Sequence, residues 1–90
     1  MGTHETKIGV SNHFQGDRPH VVCVEPWGED YTLLPHEELT IIARGSHAVP
    51  WFHLVESEGA TQVYCEDTDD FEVLQGGRPI ACGHKRQHDA

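Results

Sequence analysis

The sequence predicts an all-β protein, a small antiparallel β-sandwich or barrel of about seven short strands. Segments rich in β-branched and aromatic residues recur at regular intervals, and turn residues such as glycine and proline separate them. Several of these segments alternate apolar and polar residues with the period of two that is typical of half-buried strands. No segment shows the period of an amphipathic helix.

The first half of the chain predicts three of these strands. Residues 21–25 are apolar on both faces and indicate a central strand that stops at Pro26. Residues 29–44 predict a hairpin, the organising unit of the fold, in which two alternating strands flank a turn at residues 35–38. Pro35 favours this turn because proline fixes φ.

The second half predicts two further hairpins. Residues 51–56 and 61–65 flank a loop in which Gly59 can adopt a positive φ, and either face of the first strand could be the buried one. Residues 71–74 and 79–82 flank the turn that contains Gly76 and Gly77.

A chain of 90 residues has the size of one domain. Residues 1–19 are polar with scattered glycines and predict a flexible N-terminal segment, residues 20–82 form the β domain, and residues 83–90 predict a disordered tail.

The composition excludes several classes of partner. Fifteen acidic and six basic residues give a formal charge of −9, which repels nucleic-acid phosphates and anionic membrane surfaces. No apolar run is long enough for a signal peptide or a membrane span, and the three cysteines lack a C-x-x-C spacing. We therefore expect a cytoplasmic protein in which Cys23 and Cys65 are small buried hydrophobic residues.

Two short segments carry a resemblance to known proteins. Glu-Pro-Trp-Gly-Glu at residues 25–29 and Leu-Leu-Pro-His-Glu-Glu-Leu at residues 33–39 resemble segments of small, functionally uncharacterised bacterial all-β proteins. The second segment is also distantly similar to the Leu-x-Pro-Gly-Glu turn of cupin-type jelly rolls, with His36 at the glycine position. The resemblance implies a β fold and, for a cupin-like chain, a metal site.

Aromatic side chains are the first set of candidate site residues. Trp27, Tyr31, Trp51 and Tyr64 could line a ligand-binding surface, because aromatic rings give large contact areas with a polar group at one end. The alternative is that they fill the core of a small domain.

Potential metal ligands form the second set. The cupin-like alternative uses His36, His47 and His53, with Glu56, and binds a divalent transition metal. The acidic segment 66–70 could be an ion site or a solvated loop. Metal-compatible side chains also lie next to the C-terminus, at Cys82 on the last predicted strand and at His84 and His88 in the predicted tail.

The function that these features favour is that of a non-enzymatic binding or interaction module without a cofactor, whose partner is a protein or a small-molecule ligand. No nucleophile elbow, phosphate loop or H-E-x-x-H motif is present in the sequence. A metal-binding protein or metalloenzyme built on the histidines is the alternative, and the oligomeric state stays open.

Overall fold

The computed structural model describes residues 3–13 and 18–81, which form an all-β sandwich, as predicted. The eight strands are β1 (His4–Ser11), β2 (His20–Glu25), β3 (Glu29–Leu33), β4 (Glu38–Gly45), β5 (Trp51–Ser57), β6 (Ala60–Glu66), β7 (Asp70–Gln75) and β8 (Arg78–Pro79). The seven predicted strands correspond to β2 through β8. No helix occurs in this part of the chain, so it contains no helical segment that could cross a membrane.

Each sheet has four strands. One has the order β1-β4-β7-β8 and is antiparallel throughout, and the other has the order β3-β2-β6-β5. In the second sheet β2 and β6 run parallel, with Val24 opposite Val63, so this sheet is mixed rather than purely antiparallel. A parallel neighbour requires a long connection, and β3, β4 and β5 supply it.

The core lies between the two sheets and is built from the inward positions of alternating strands. Its buried members come from β2, β3, β4, β6 and β7: Val22, Val24, Tyr31, Leu33, Leu39, Ile41, Val63, Cys65 and Val73. Half-buried side chains close its margins, among them Ile8, Phe52 and Phe71. Burial of these apolar groups is the main favourable term that holds the sheets together.

The predicted organising hairpin at residues 29–44 is wrong in its pairing. Its two strands exist as β3 and β4, but β3 pairs with β2 and β4 pairs with β1 and β7, so they belong to different sheets. The turn between them is formed by the bond from the Glu37 N–H to the Leu34 carbonyl, 3.0 Å long. His36 in this turn has a φ of 69°, the left-handed conformation that glycine usually supplies.

Asn12 supplies hydrogen-bond partners where the chain crosses between the sheets. Its backbone accepts from the His36 N–H at 2.7 Å and donates to the Glu37 carbonyl at 2.9 Å. Its buried side chain donates to the carbonyls of Leu33 and Arg18. The crossover therefore finds its hydrogen-bond partners at the end of β1, because buried backbone groups must be paired.

The N-terminal segment also differs from the expectation. The prediction began the β domain at residue 20, whereas β1 pairs with β4 along its whole length, from His4 opposite Gly45 to Ser11 opposite Glu38. Ile8 and Val10 face inward, and with so few apolar residues the strand was hard to identify in the sequence. The predicted tail at residues 83–90 lies outside the described residues.

The other two predicted hairpins are confirmed. β5 and β6 pair antiparallel around Gly59, whose φ is +80°. β7 and β8 pair around Gly76 and Gly77, both with positive φ, which is the backbone geometry of a tight two-residue hairpin turn.

Candidate functional site

The four candidate aromatic residues fall in two places. Tyr31 is buried in the core, and its hydroxyl donates to the Glu29 carboxylate at 2.9 Å. Trp27, in the turn after β2, packs against Phe71 with ring centroids 4.5 Å apart and the ring planes tilted by 40°. Trp51 and Tyr64 instead lie on the outer face of the mixed sheet that also contains Tyr31, on β5 and β6.

An open cleft of about 340 Å³ adjoins Tyr31 and Phe71. Its other walls are Val73, Pro79, Ile80 and the carboxylates of Glu29 and Glu72. Both carboxylates have partners within the chain, since Glu29 accepts from Tyr31 and Glu72 accepts from Arg44 at 2.9 Å. The hydrogen bond to Glu72 is the largest cause of the raised pKa of Arg44. Both carboxylates of the cleft are therefore committed to the fold.

The second place is the edge strand β5. It is the last strand of its sheet, paired with β6 on one side only, so its other edge presents backbone N–H and C=O groups that have no strand partner among the described residues. Its large apolar side chains are exposed: Trp51 by 51%, Leu54 by 42% and Val55 by 41%.

Both faces of β5 are apolar at this edge. Trp51, His53 and Val55 lie on the outer face, with His53 opposite Tyr64 and their ring centroids 6.0 Å apart. Phe52 and Leu54 lie on the inner side, and Leu54 remains exposed although its partner Val63 is fully buried. The inner side of β5 therefore extends past the part of the core that the opposite sheet covers.

Edge strands of natural proteins usually carry a charged residue or a proline that prevents another strand from adding to them. From Trp51 to Val55, β5 has neither, and Glu56 is the first charged residue. An exposed stretch of edge strand that has large apolar side chains and no charge over five residues is a typical site for strand addition.

The beginning of β5 is held rigidly. The Trp51 Nε1–H donates to Asp67 Oδ2 at 3.2 Å, and the hydroxyl of Thr6 on β1 donates to the carbonyl of buried Pro50 at 2.7 Å. The loop before β5 is fixed as well, because Asp69 Oδ2 accepts from the Ser46 hydroxyl at 2.6 Å and from the Ser46 N–H at 2.9 Å. These bonds from Ser46 lower the pKa of Asp69.

The acidic segment 66–70 thus has a structural use. Asp67 and Asp69 accept hydrogen bonds from Trp51 and Ser46, and the Thr68 hydroxyl donates to the Glu66 carbonyl. Within residues 3–13 and 18–81, no three His, Cys, Asp or Glu side chains form a group that could hold a metal ion.

The three candidate metal ligands lie on separate elements. His36 is in the crossover turn, where its ring centroid is 6.0 Å from that of His13. His47 is in the loop before β5 and lines a small cleft of about 280 Å³ with Cys65 and Asp69. His53 is on the outer face of β5. Cys82, His84 and His88 lie outside the described residues.

The two cysteines have different surroundings. Cys65 is buried in the core, and its burial, together with the charge of Glu66, raises the pKa of its thiol to about 11. Cys23 is half-buried on the outer face of β2, where burial and the carboxylates of Glu25 and Asp30 also raise its pKa. The prediction of a small buried hydrophobic residue describes Cys65 fully and Cys23 only in part.

Comparisons of the chain with protein-family models, with curated proteins and with solved structures found no match. The bacterial and cupin-like resemblance of the segments at residues 25–29 and 33–39 therefore stays a prediction. Sequence reasoning selected Trp51 and Tyr64 as aromatic residues but missed the edge itself. The signal was the ambiguity of residues 51–55, which are apolar on both faces.

Proposed function

We propose that this chain is a non-enzymatic interaction module that binds an extended polypeptide segment by strand addition along β5. The observation that supports the proposal is the open edge of β5, where Trp51, Leu54 and Val55 are exposed on two faces without a charge between them. In strand addition, backbone hydrogen bonds supply affinity and alternating side chains supply specificity.

Trp51 is the anchor of this surface. Tryptophan is enriched among the residues that dominate binding energies, because it combines a large apolar area with few rotatable bonds. Its indole is already oriented by the bond to Asp67, so little conformational freedom remains to be lost on binding.

Four side chains of the described residues have pKa values that do not suit acid–base catalysis near neutral pH. The pKa values of Cys23, Cys65 and Arg44 are raised above their ordinary values, and that of Asp69 is lowered. All four shifts move away from neutrality, whereas a general acid or base works best with a pKa near the working pH. This supports the proposal of a module without a reaction of its own.

Binding can be tested with the intrinsic fluorescence of the anchor. In a Trp27→Phe variant, Trp51 is the only tryptophan. Titration with capped, alternating Val-Thr peptides is expected to shift its emission to the blue in a saturable way as an added strand excludes water.

Two matched substitutions locate the binding surface. Val55→Lys places a charge on the edge and is expected to weaken peptide binding at least about tenfold. Val49→Lys is the same change at a residue that is 59% exposed but precedes β5, and it should leave binding unchanged. The absence of any saturable shift, or equal effects of the two lysines, would remove the support for strand addition at β5.

A further inference from the structure

We propose that the partner of β5 is the β5 strand of a second copy of this chain, paired antiparallel about a two-fold axis at His53. The inference rests on the proposed function and names its partner. It joins the two mixed sheets into one continuous sheet of eight strands in which the two β5 strands are central neighbours.

The sequence of β5 is symmetric in hydrophobicity about His53. In a two-fold pair, residue i meets residue j and residue j meets residue i. With His53 on the axis, Trp51 lies opposite Val55 of the second copy and Phe52 lies opposite Leu54. The first pair is on the outer face and the second on the inner face, so apolar side chains meet on both faces.

Other registers match less well. A continuous sheet keeps inner residues opposite inner residues, so the axis can move only to a whole neighbouring residue. An axis at Leu54 would place Phe52 opposite Glu56 and Trp51 opposite Ser57. An axis at Phe52 would place Leu54 opposite Pro50, which precedes β5, so only residues 51–53 of the two strands would pair with each other.

The charge of the chain is compatible with the His53 register. Each chain has a formal charge of −9, so two copies repel each other at long range. In this register, Glu56 lies opposite Pro50 of the second copy, and the two Glu56 residues are about six residues or 20 Å apart along the strands. That separation exceeds the Debye length of about 8 Å at physiological salt, so the repulsion between them is screened.

The outer face gains an aromatic row. His53 of each copy is flanked by its own Tyr64 on β6, so the order across the joined sheet is Tyr64, His53, His53 of the second copy, Tyr64 of the second copy. Side chains directly opposite on antiparallel strands have Cβ atoms about 4.5–5.5 Å apart. Residue 53 therefore contacts its own copy, a relationship that no other partner reproduces.

This self-contact is tested with charge-swap variants of the full chain in sedimentation equilibrium between about 1 µM and 1 mM, a range that covers weak to moderate dimers. The wild type is expected to dimerise. His53→Asp alone and His53→Lys alone should each be monomeric, because like charges then meet on the axis. An equimolar mixture of the two should form heterodimers, since the charges are now opposite.

Two controls accompany the mixture. His53→Thr is neutral and β-branched, so it should dimerise like the wild type, and far-UV circular dichroism verifies that every variant is folded. His53 is exposed, so these substitutions leave the core intact. Val55→Lys should weaken the dimer at least about tenfold, and Val49→Lys should not.

The outcomes separate this inference from the proposed function. A wild type that stays monomeric while it binds the Val-Thr peptides would overturn the self-pairing and leave the interaction module in place. A dimer that Val55→Lys does not weaken would overturn self-pairing at β5, and the peptide titration would then decide the proposed function independently. Val55→Lys could weaken the dimer while an equimolar mixture of His53→Asp and His53→Lys forms no heterodimer. That result would overturn the His53 register.

Discussion

The Trp51 indole N–H donates a hydrogen bond to the Asp67 carboxylate across 3.2 Å and thereby joins the start of β5 to the loop that follows β6. The contact spans a hairpin whose two strands are already paired, so it adds orientation more than stability. It fixes the side chain that the proposed function uses as an anchor.

Replacement of Asp67 tests this orienting role. Asp67 has a φ of 53°, which glycine and asparagine tolerate, so Asp67→Gly removes the acceptor without backbone strain and Asp67→Asn retains an acceptor oxygen. We expect Asp67→Gly to lower the fluorescence anisotropy of Trp51 and weaken peptide binding several-fold, with a stability change within about 0.5 kcal/mol. Asp67→Asn should resemble the wild type, and equal behaviour of the two variants would argue against the orienting bond.

Gly45 should be intolerant of a side chain. A Cβ at this position would lie 2.5 Å from the Asp67 carbonyl oxygen and 2.8 Å from that of Ala48, both of which are backbone atoms that cannot move aside alone. Gly45→Ala is therefore expected to destabilise the protein by about 1–3 kcal/mol, as overpacking does.

Gly9→Ala is the matched control, because its Cβ would meet only the Leu39 carbonyl oxygen at 3.9 Å. Chemical denaturation of both variants measures the difference. Equal midpoints would mean that the close approach at Gly45 does not exist in solution.

The Cys65 thiol should react slowly. With a pKa of about 11, the fraction present as thiolate at pH 7 is about one in ten thousand, and the thiolate is the nucleophile. In a Cys23→Ser, Cys82→Ser variant, we expect alkylation of Cys65 to be much slower in the native protein than in denaturant. Equal rates in the two conditions would show that Cys65 is accessible and that the pKa of its thiol is not raised.

The bonds from Ser46 to Asp69 predict an acid-sensitive contribution to stability. Because the native pKa of Asp69 is lowered, the ionised carboxylate is favoured by folding. The contribution of Asp69 to folding stability is fully present above the pKa of its carboxyl in the unfolded chain, about 3.9. It is lost as the pH falls through the lower pKa of the native state.

Ser46→Ala removes the hydroxyl donor. The gap in denaturation midpoint between the wild type and this variant should be constant from neutral pH to about pH 5 and should close under more acidic conditions. A gap that widens on acidification would contradict the assigned direction.

The metal-binding alternative can be tested directly. His36, His47 and His53 lie on three different elements, so we expect extensively dialysed, tag-free protein to carry less than one equivalent of a transition metal. Elemental analysis measures this, with His53→Ala as the comparison. One full equivalent in the wild type that is lost in His53→Ala would overturn this expectation and favour the metal-binding alternative.

Local patterns predicted the strands well because alternation and turn residues act over a few positions. Gly59 and the Gly76-Gly77 pair marked hairpins that the structure contains, since each adopts the positive φ that such turns need. The pairing of β3 and β4 was different. Their alternation is the same whether they pair with each other or with strands elsewhere. The crossover between them is hydrogen-bonded to Asn12, which is distant in sequence.

The candidate site was harder to predict than the fold. Tyr31 is buried in the core and Trp51 is exposed, although both are aromatic residues on strands of the same sheet. Exposure depends on which strand ends the sheet, and sheet order follows from pairings between distant segments. The absence of a charge in residues 51–55 is readable from the sequence, but it gains its meaning only when β5 is known to be an edge.

The parallel pairing of β2 with β6 has a consequence for the newly synthesised chain. Val21 pairs with Ala60, which the ribosome adds 60 − 21 = 39 residues later. Synthesis proceeds at about 5–20 residues per second, so one edge of the β-branched strand β2 has no strand partner for about 2–8 s. During that interval the nascent chain exposes an apolar strand to its neighbours on the same messenger, so rapid capture by a chaperone or slow initiation would favour its yield as folded protein.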